Sequence, residues 1–309
     1  MIQHYFIAYL LLAPSASINP SVRARQQTIL HGSERPSSSA TSTDTSRRAP
    51  IHGPPAILSG IFSFRPNYAI AGDNVDYNKF SSSYDDLDGG PLATALGLTD
   101  LRSAVVGKAR GRCLEVGVGT GLNLRFYRTE QVESLDAVDL SPGMLAECRA
   151  RLSAGAGLGG NEGSNGERSP EKVRLSKMDV AALSFPDATF DTVLDTFSLC
   201  VFPDPQAALR EMARVCKPKS EGGRVLLLEH SRIDDNEEDG GDGRGRRRML
   251  PKILAAYQDL TAAPIAAMGK GCVWNQRLEP LLASAGLEVL SSTRVLGGLL
   301  TVIEATRRG

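Results

Sequence analysis

Three glycines recur at alternate positions in CLEVGVGTGLNL, residues 113–124, directly after an apolar run that reads as a strand. Gly117, Gly119 and Gly121 leave the chain bare where a strand turns, an arrangement that lets backbone approach a ligand closely. A dinucleotide turn of the G-x-G-x-x-G type needs glycine at position 122, which is leucine, so that fingerprint is not encoded. Metal or thiol-exchange chemistry is not indicated by spacing either. Cys113, Cys148, Cys200, Cys216 and Cys272 are odd in number and contain no C-x-x-C pair, while His4, His31, His52 and His230 are scattered. The cysteines read as reduced packing residues, and no metal is expected.

The elements that must position the glycines alternate in type. RCLEVG, LDAVDL, VRLSKMD, TFDTVLDTF and GRVLLLEH read as strands; GLNLRFYR, PGMLAECRARL and PQAALREMARVCK read as helices between them. Such alternation predicts an α/β fold with a mostly parallel sheet and helices on both faces. After Arg248 follow a long helix, a second helix over QRLEPLLASA stopped by Gly286, and two strands, LEVLSSTRVL and GLLTVIEAT, read as an antiparallel hairpin on the sheet edge. The glycines then lie in the first strand-to-helix turn, where ligands of doubly wound sheets bind.

At this point the chain resembles the class I S-adenosylmethionine-dependent methyltransferases, whose E/D-x-G-x-G-x-G motif is matched by Glu115, Gly117, Gly119 and Gly121. The resemblance covers roughly residues 75 to 306 and implies a Rossmann-like seven-stranded fold with S-adenosyl-L-methionine as cofactor. It further implies that Val118 and the glycines lie against the methionine part, and that Glu115 pairs with its ammonium group. Asp139, at the end of the second strand, is to accept both ribose hydroxyls, and Asp179, after the third, the adenine amino group. Leu140, Met144 and Val180 are to enclose the adenine ring, and Thr196 stands where the fourth strand leads toward the methyl group. One departure is a three-residue expansion of the family's K-P-G-G turn, Lys217 to Gly223.

Within the superfamily, RVLLLEH and GCVWN resemble the small-molecule and lipid branch related to quinone-biosynthesis and phospholipid N-methyltransferases. The absence of N-P-P-Y after TFSLC disfavours adenine or glutamine-amide methylation. Displacement at a sulfonium carbon chiefly needs positioning, so a base is optional; His230, ending the fifth strand, is the candidate for an oxygen acceptor. Trp274 reads either as acceptor-pocket lining or as core. The competing reading is a catalytically silent fold that serves in assembly or binding.

Composition supports a soluble enzyme: 41% hydrophobic and 23% charged residues suit a packed core, and zero formal net charge without a basic stripe excludes a nucleic-acid partner as the expectation. The first 72 residues read differently. YFIAYLLLAP is too short to span a bilayer and resembles a signal core. From Ser17 to Gly72 the chain holds six arginines, no lysine and only Glu34 and Asp44 as acids, like an organelle transit segment. Arg47-Arg48 before Ala69-Ile70-Ala71 resembles a twin-arginine signal. The apolar run precedes the arginines, which favours a plastid address over a mitochondrial one. The methyltransferase domain is then 73–309, with flexible insertions at about 154–171 and 234–248; Arg244 and Arg246 to Arg248 in the second offer a peripheral membrane contact.

Overall fold

In a computed structural model of the chain, the described residues are 76–79, 81–85, 90–155, 158, 170–234, 249–268 and 271–308. The leader, its paired arginines, residues 235–248 and most of the first insertion lie outside them. Seven strands form one sheet: β1 (Gly111–Val116), β2 (Val132–Asp139), β3 (Val173–Lys177), β4 (Thr192–Thr196), β5 (Arg224–His230), β6 (Leu287–Val295) and β7 (Leu300–Arg307). Their order is β3-β2-β1-β4-β5-β7-β6. Strands β1 to β5 pair in parallel, and β7 runs antiparallel between β5 and β6. The expected mostly parallel sheet with an antiparallel C-terminal pair is the one observed.

TVLDT and LLLE are buried without interruption because strands covered on both faces need apolar residues on both. Alternate side chains feed two cores. Leu114, Val116, Val193 and Leu227 join one; Cys113, Leu194, Leu226 and Leu228 join the other. The first is closed by α4 (Pro205–Val215) and α6 (Leu278–Ser284), the second by α2 (Leu98–Val106) and α3 (Pro142–Ser153). A short α1 (Pro91–Ala95) precedes α2, and α5 (Met249–Met268) follows the second insertion. Among the described residues, no helix is long and apolar enough to cross a membrane.

Local signals set the helix ends. Ser141 Oγ accepts from the Met144 amide at 3.2 Å and Asp204 Oδ1 from Ala207 at 2.8 Å, each followed by proline at the first helical position. Gly286, at φ 78, turns the chain after α6.

One element differs from expectation. GLNLRFYR is not an α-helix but a single 3-10 turn, Leu124–Phe126. Its apolar residues are buried, yet Asn123 and Tyr127 turn inward to bond Glu115, a demand that fixes the backbone more tightly than helical spacing does. Helices α1 and α2, which precede β1, had no counterpart in the sequence reading.

Candidate functional site

The parallel strands end on one side of the sheet, and their loops enclose a cavity of about 740 Å³. That volume suits a cofactor-sized ligand with a second small molecule beside it.

Over β1, β2 and β3 the wall is formed by Gly119, Asp139, Leu140, Met144, Asp179 and Val180. All three motif glycines hold left-handed backbone, φ 59, 56 and 84, but for different reasons. A Cβ on Gly117 would stand 2.4 Å from Ser198 Oγ, and one on Gly121 would stand 2.8 Å from Cys148 Sγ. Both positions are closed by the protein's own packing, although Gly117 also borders the cavity. A Cβ on Gly119 would meet nothing nearer than the Gly117 carbonyl at 4.0 Å, so the bare face here is turned to the cavity. Gly121 and Val118 do not line it.

Asp139 holds this loop from the next strand. Its Oδ2 accepts from the Gly119 amide at 2.9 Å and its Oδ1 from Ser141 at 2.8 Å. Burial raises its pKa, with these backbone bonds pulling the other way. Asp179 Oδ1 accepts from Ala181 at 2.9 Å and so caps the turn Val180–Ala182, leaving the carboxylate at the wall. Leu140 is 58% exposed, whereas Met144 and Val180 are buried.

Glu115 is placed otherwise than expected. Near the end of β1, it lies on the face that packs against Phe126 and Tyr127 rather than toward the cavity. Oε1 accepts from Asn123 Nδ2 at 2.8 Å and Oε2 from the Tyr127 hydroxyl at 2.7 Å. The residue is 2% exposed and absent from the cavity wall, so the direct ammonium contact read for it is not what the geometry shows. Burial pushes its pKa up to about 7, opposed by the bonds from Tyr127 and Asn123. What it does instead is orient Asn123, which with Thr196 holds Arg102. Arg102 Nη1 donates to Asn123 Oδ1 at 3.0 Å and to Thr196 Oγ1 at 2.7 Å, and its guanidinium lies 4.7 Å over the Phe197 ring. This buried cation lines the cavity. Within TDLRSAVV nothing marks it, since an arginine on a helix ordinarily reads as a solvated face.

Over β4 and β5 the wall is more apolar: Phe197, Cys200, His230, Trp274, Leu296 and Leu299. Phe197 has φ 61, a strained conformation for a bulky residue. The loop it opens is fastened from below. Ser198 and Leu199 amides donate to Glu229 Oε1 at 2.9 and 3.3 Å, and Ser198 Oγ donates to Asp195 Oδ1 at 2.5 Å. Burial raises both carboxyl groups; at Glu229 the neighbouring Asp195 charge adds to the rise, while at Asp195 the hydrogen bonds from Ser198 and Glu229 pull the other way. Scattered in sequence, His230 and two of the cysteines nevertheless converge here. Cys272 Sγ lies 3.2 Å from Cys200 Sγ and 3.9 Å from His230 Nδ1.

The segment around Tyr77 and Tyr84 completes the wall. Asn78 Oδ1 accepts from Ser141 Oγ at 2.9 Å and from the Gly143 amide at 2.7 Å, while Asp85 accepts from Thr120 at 2.6 Å and pairs with Arg151. In sequence this segment opens the domain, with nothing that marks a place in the site.

Residues 114–226 match the family described as a methyltransferase domain. The chain is 33% identical over 210 residues to a phosphatidylethanolamine N-methyltransferase of Cereibacter sphaeroides, covering 67% of this chain and 85% of that protein. It is 36% identical over 202 residues to a ubiquinone/menaquinone biosynthesis C-methyltransferase of Marinomonas sp., covering 63% and 74%. With the mitochondrial methyltransferase OMS1 of Saccharomyces cerevisiae it shares 26% identity over 216 residues, 65% of this chain and 39% of that one. The chain belongs to the class I S-adenosylmethionine-dependent methyltransferases, in their small-molecule and lipid branch. It is an enzyme whose cofactor is S-adenosylmethionine.

Proposed function

We propose that the enzyme methylates a lipid-like or quinone-like small molecule bound over β4 and β5, with the cofactor over β1 to β3. The observation that carries this reading is the division of a single cavity into a carboxylate-bearing half at Asp139 and Asp179 and an apolar half at Phe197, Trp274 and Leu299. When bound, S-adenosylmethionine supplies an electrophilic methyl group on a sulfonium sulfur. The chain's own residues do the rest. Gly119 admits the methionine portion, Asp139 accepts the ribose hydroxyls, and Asp179 meets the adenine amino group, with Leu140, Met144 and Val180 against the ring. Arg102 faces the methionine carboxylate, a charge-assisted contact that the sequence alone did not suggest. The displacement gains most from holding the acceptor in line, so a dedicated base is not required. His230 is placed to take the proton of an acceptor hydroxyl.

Two of the relatives are named for a phospholipid and for quinones, which supports an acceptor of that class. An organellar setting is supported by the leader's composition and by the mitochondrial relative, the latter favouring mitochondrion and the order of apolar run and arginines favouring plastid. Radiolabelled methyl transfer into an organelle extract, followed by phase partition, tests the acceptor. Label in the organic phase is expected; label confined to the aqueous phase overturns the reading. Residues 1–72 fused to a fluorescent protein test the address.

A further inference from the structure

We propose that Cys200, His230 and Cys272 form a binding site for a soft divalent cation such as Zn²⁺, with the fourth coordination position open to the cavity. The three donors come from separate parts of the fold: the loop after β4, the tip of β5 and the segment after α5. Their ligand atoms all lie within 4.8 Å of one another, and among the described residues they are the group of three such side chains that converges in this way.

Two of the three donor separations come close to those of the ion, and the third, Cys200 to His230, is at most 4.8 Å. Tetrahedral zinc with sulfur at about 2.3 Å and nitrogen at about 2.0 Å separates its sulfurs by roughly 3.7 Å and each sulfur from nitrogen by roughly 3.5 Å. The observed 3.2 Å between sulfurs and 3.9 Å between Cys272 Sγ and His230 Nδ1 thus require shifts of about half an ångström or less. A disulfide needs a closer approach, to about 2.05 Å, than the 3.2 Å observed. The donor set also selects. Two thiolates and an imidazole suit zinc and its soft neighbours, not magnesium or calcium.

The frame around the donors is rigid. Val273 donates to the Cys200 carbonyl at 2.8 Å, which ties the second segment to the first beside the two sulfurs. Gln258 of α5 bonds the Ser231 and Trp274 carbonyls at 3.1 and 3.4 Å, and Tyr257 meets Trp274 edge-on at 6.2 Å. Cys272 is fully buried behind the other two, whereas Cys200 and His230 belong to the cavity wall. The free coordination position therefore faces the space assigned above to the acceptor. Binding Zn²⁺ releases the two thiol protons to solvent and leaves a site of zero net charge, which a buried pocket tolerates better than a bare cation. The ion site stands on this geometry alone. Its use by the acceptor rests on the proposed function, and there His230 holds the ion rather than taking a proton.

The test is metal content and cobalt spectroscopy on the full chain, reduced and purified without a metal-binding tag. About one zinc per chain after dialysis is expected, and Co²⁺ substitution should give the thiolate charge-transfer absorption of a tetrahedral site. Cys272→Ser and Cys200→Ser should each lose both signals, and Cys216→Ser, in the sheet core, should keep them. If Cys272→Ser does not fold, the cobalt spectrum of the unaltered protein still decides. Sub-stoichiometric zinc with no thiolate–cobalt band overturns the site, as does metal uptake that survives both substitutions, or a Cys200–Cys272 disulfide in freshly isolated protein that takes up no ion once reduced. None of these readouts depends on methyl transfer, so the site and the proposed reaction fail or stand separately.

Discussion

The two halves of the cavity are built on opposite principles. Over β1 to β3 most wall residues sit at or just after a strand tip, a few positions from a turn signal, held by the neighbouring loop, as between Asp139 and Gly119, with Asn78 and Asp85 as clamps from the segment before α1. Over β4 and β5 the wall is assembled from distant parts of the chain. Cys272 meets Cys200 only because the segment after α5 folds back onto the sheet. A cofactor common to a whole family can be met by local strand-to-loop geometry. In the half proposed for the acceptor, the contacts between Cys200, Cys272 and His230 are tertiary.

The sharpest way to break this comparison is to treat the motif glycines as equivalent. Gly117→Val must force a branched side chain into left-handed backbone against Ser198, so a loss of about 3 kcal/mol or more in stability is expected. Gly119→Val carries the backbone strain without the clash. It should retain near-native circular dichroism while calorimetry shows cofactor binding gone. Equal loss of stability in the two variants would contradict the division between packing and ligand approach.

Next comes the buried acid that does not touch the cavity. Glu115 has its pKa raised to about 7 by burial, so the folded state holds a proton that the unfolded chain releases near pH 4.5. Its contribution to stability is present below that lower value and is lost as pH rises through about 7. Glu115→Gln keeps an acceptor for Asn123 and should not lose it. Denaturant midpoints from about pH 4.5 to 8 should therefore shift in favour of the variant, by on the order of 3 kcal/mol at the alkaline end. A pH-independent difference would mean that Glu115 stays ionised, with Arg102 as its effective counter-charge.

These cases also show what a sequence can and cannot display. The alternation of strands and helices, the antiparallel C-terminal pair, and the places of Gly119, Asp139 and Asp179 next to strand ends follow from signals within a few residues of one another. The 3-10 turn in place of a helix at GLNLRFYR was hidden because Leu122 with Phe126 and Leu124 with Tyr127 show helical spacing, while the decisive demand is the bond from Tyr127 to Glu115. Glu115 itself was misplaced because a motif letter does not say which face of the strand it occupies. Arg102, and the sulfur pair with His230, were illegible because their meaning lies in residues far away in the chain.

Asp139→Ala isolates the cofactor half at smaller cost. Removal of a charge-assisted pair of hydrogen bonds should weaken S-adenosylmethionine by about 2 kcal/mol, and a deoxyribose analogue should no longer bind worse than the parent. Part of that loss comes from the Gly119 loop, which the same carboxylate anchors. A parent-over-analogue preference that persists in the variant would assign the whole effect to the loop.

The smallest effect belongs to the apolar half. Leu299 lines the cavity between Leu296 and β7, is half-buried, and packs beside Trp274 and Cys200 rather than near Asp139 or Asp179. Truncation to alanine removes apolar contact with an acceptor and little else, so fold and cofactor affinity should stay within about twofold of the unaltered enzyme. Transfer of label to an organic-phase product should fall by roughly five- to tenfold, the loss of about 1 kcal/mol expected for a few methylene-sized contacts. Because cofactor affinity is measured on the same preparation, a drop in both would show that the halves are coupled through the Phe197 loop. Unchanged transfer with unchanged cofactor binding would move the acceptor away from Leu299, toward the Tyr77 and Tyr84 side of the cavity.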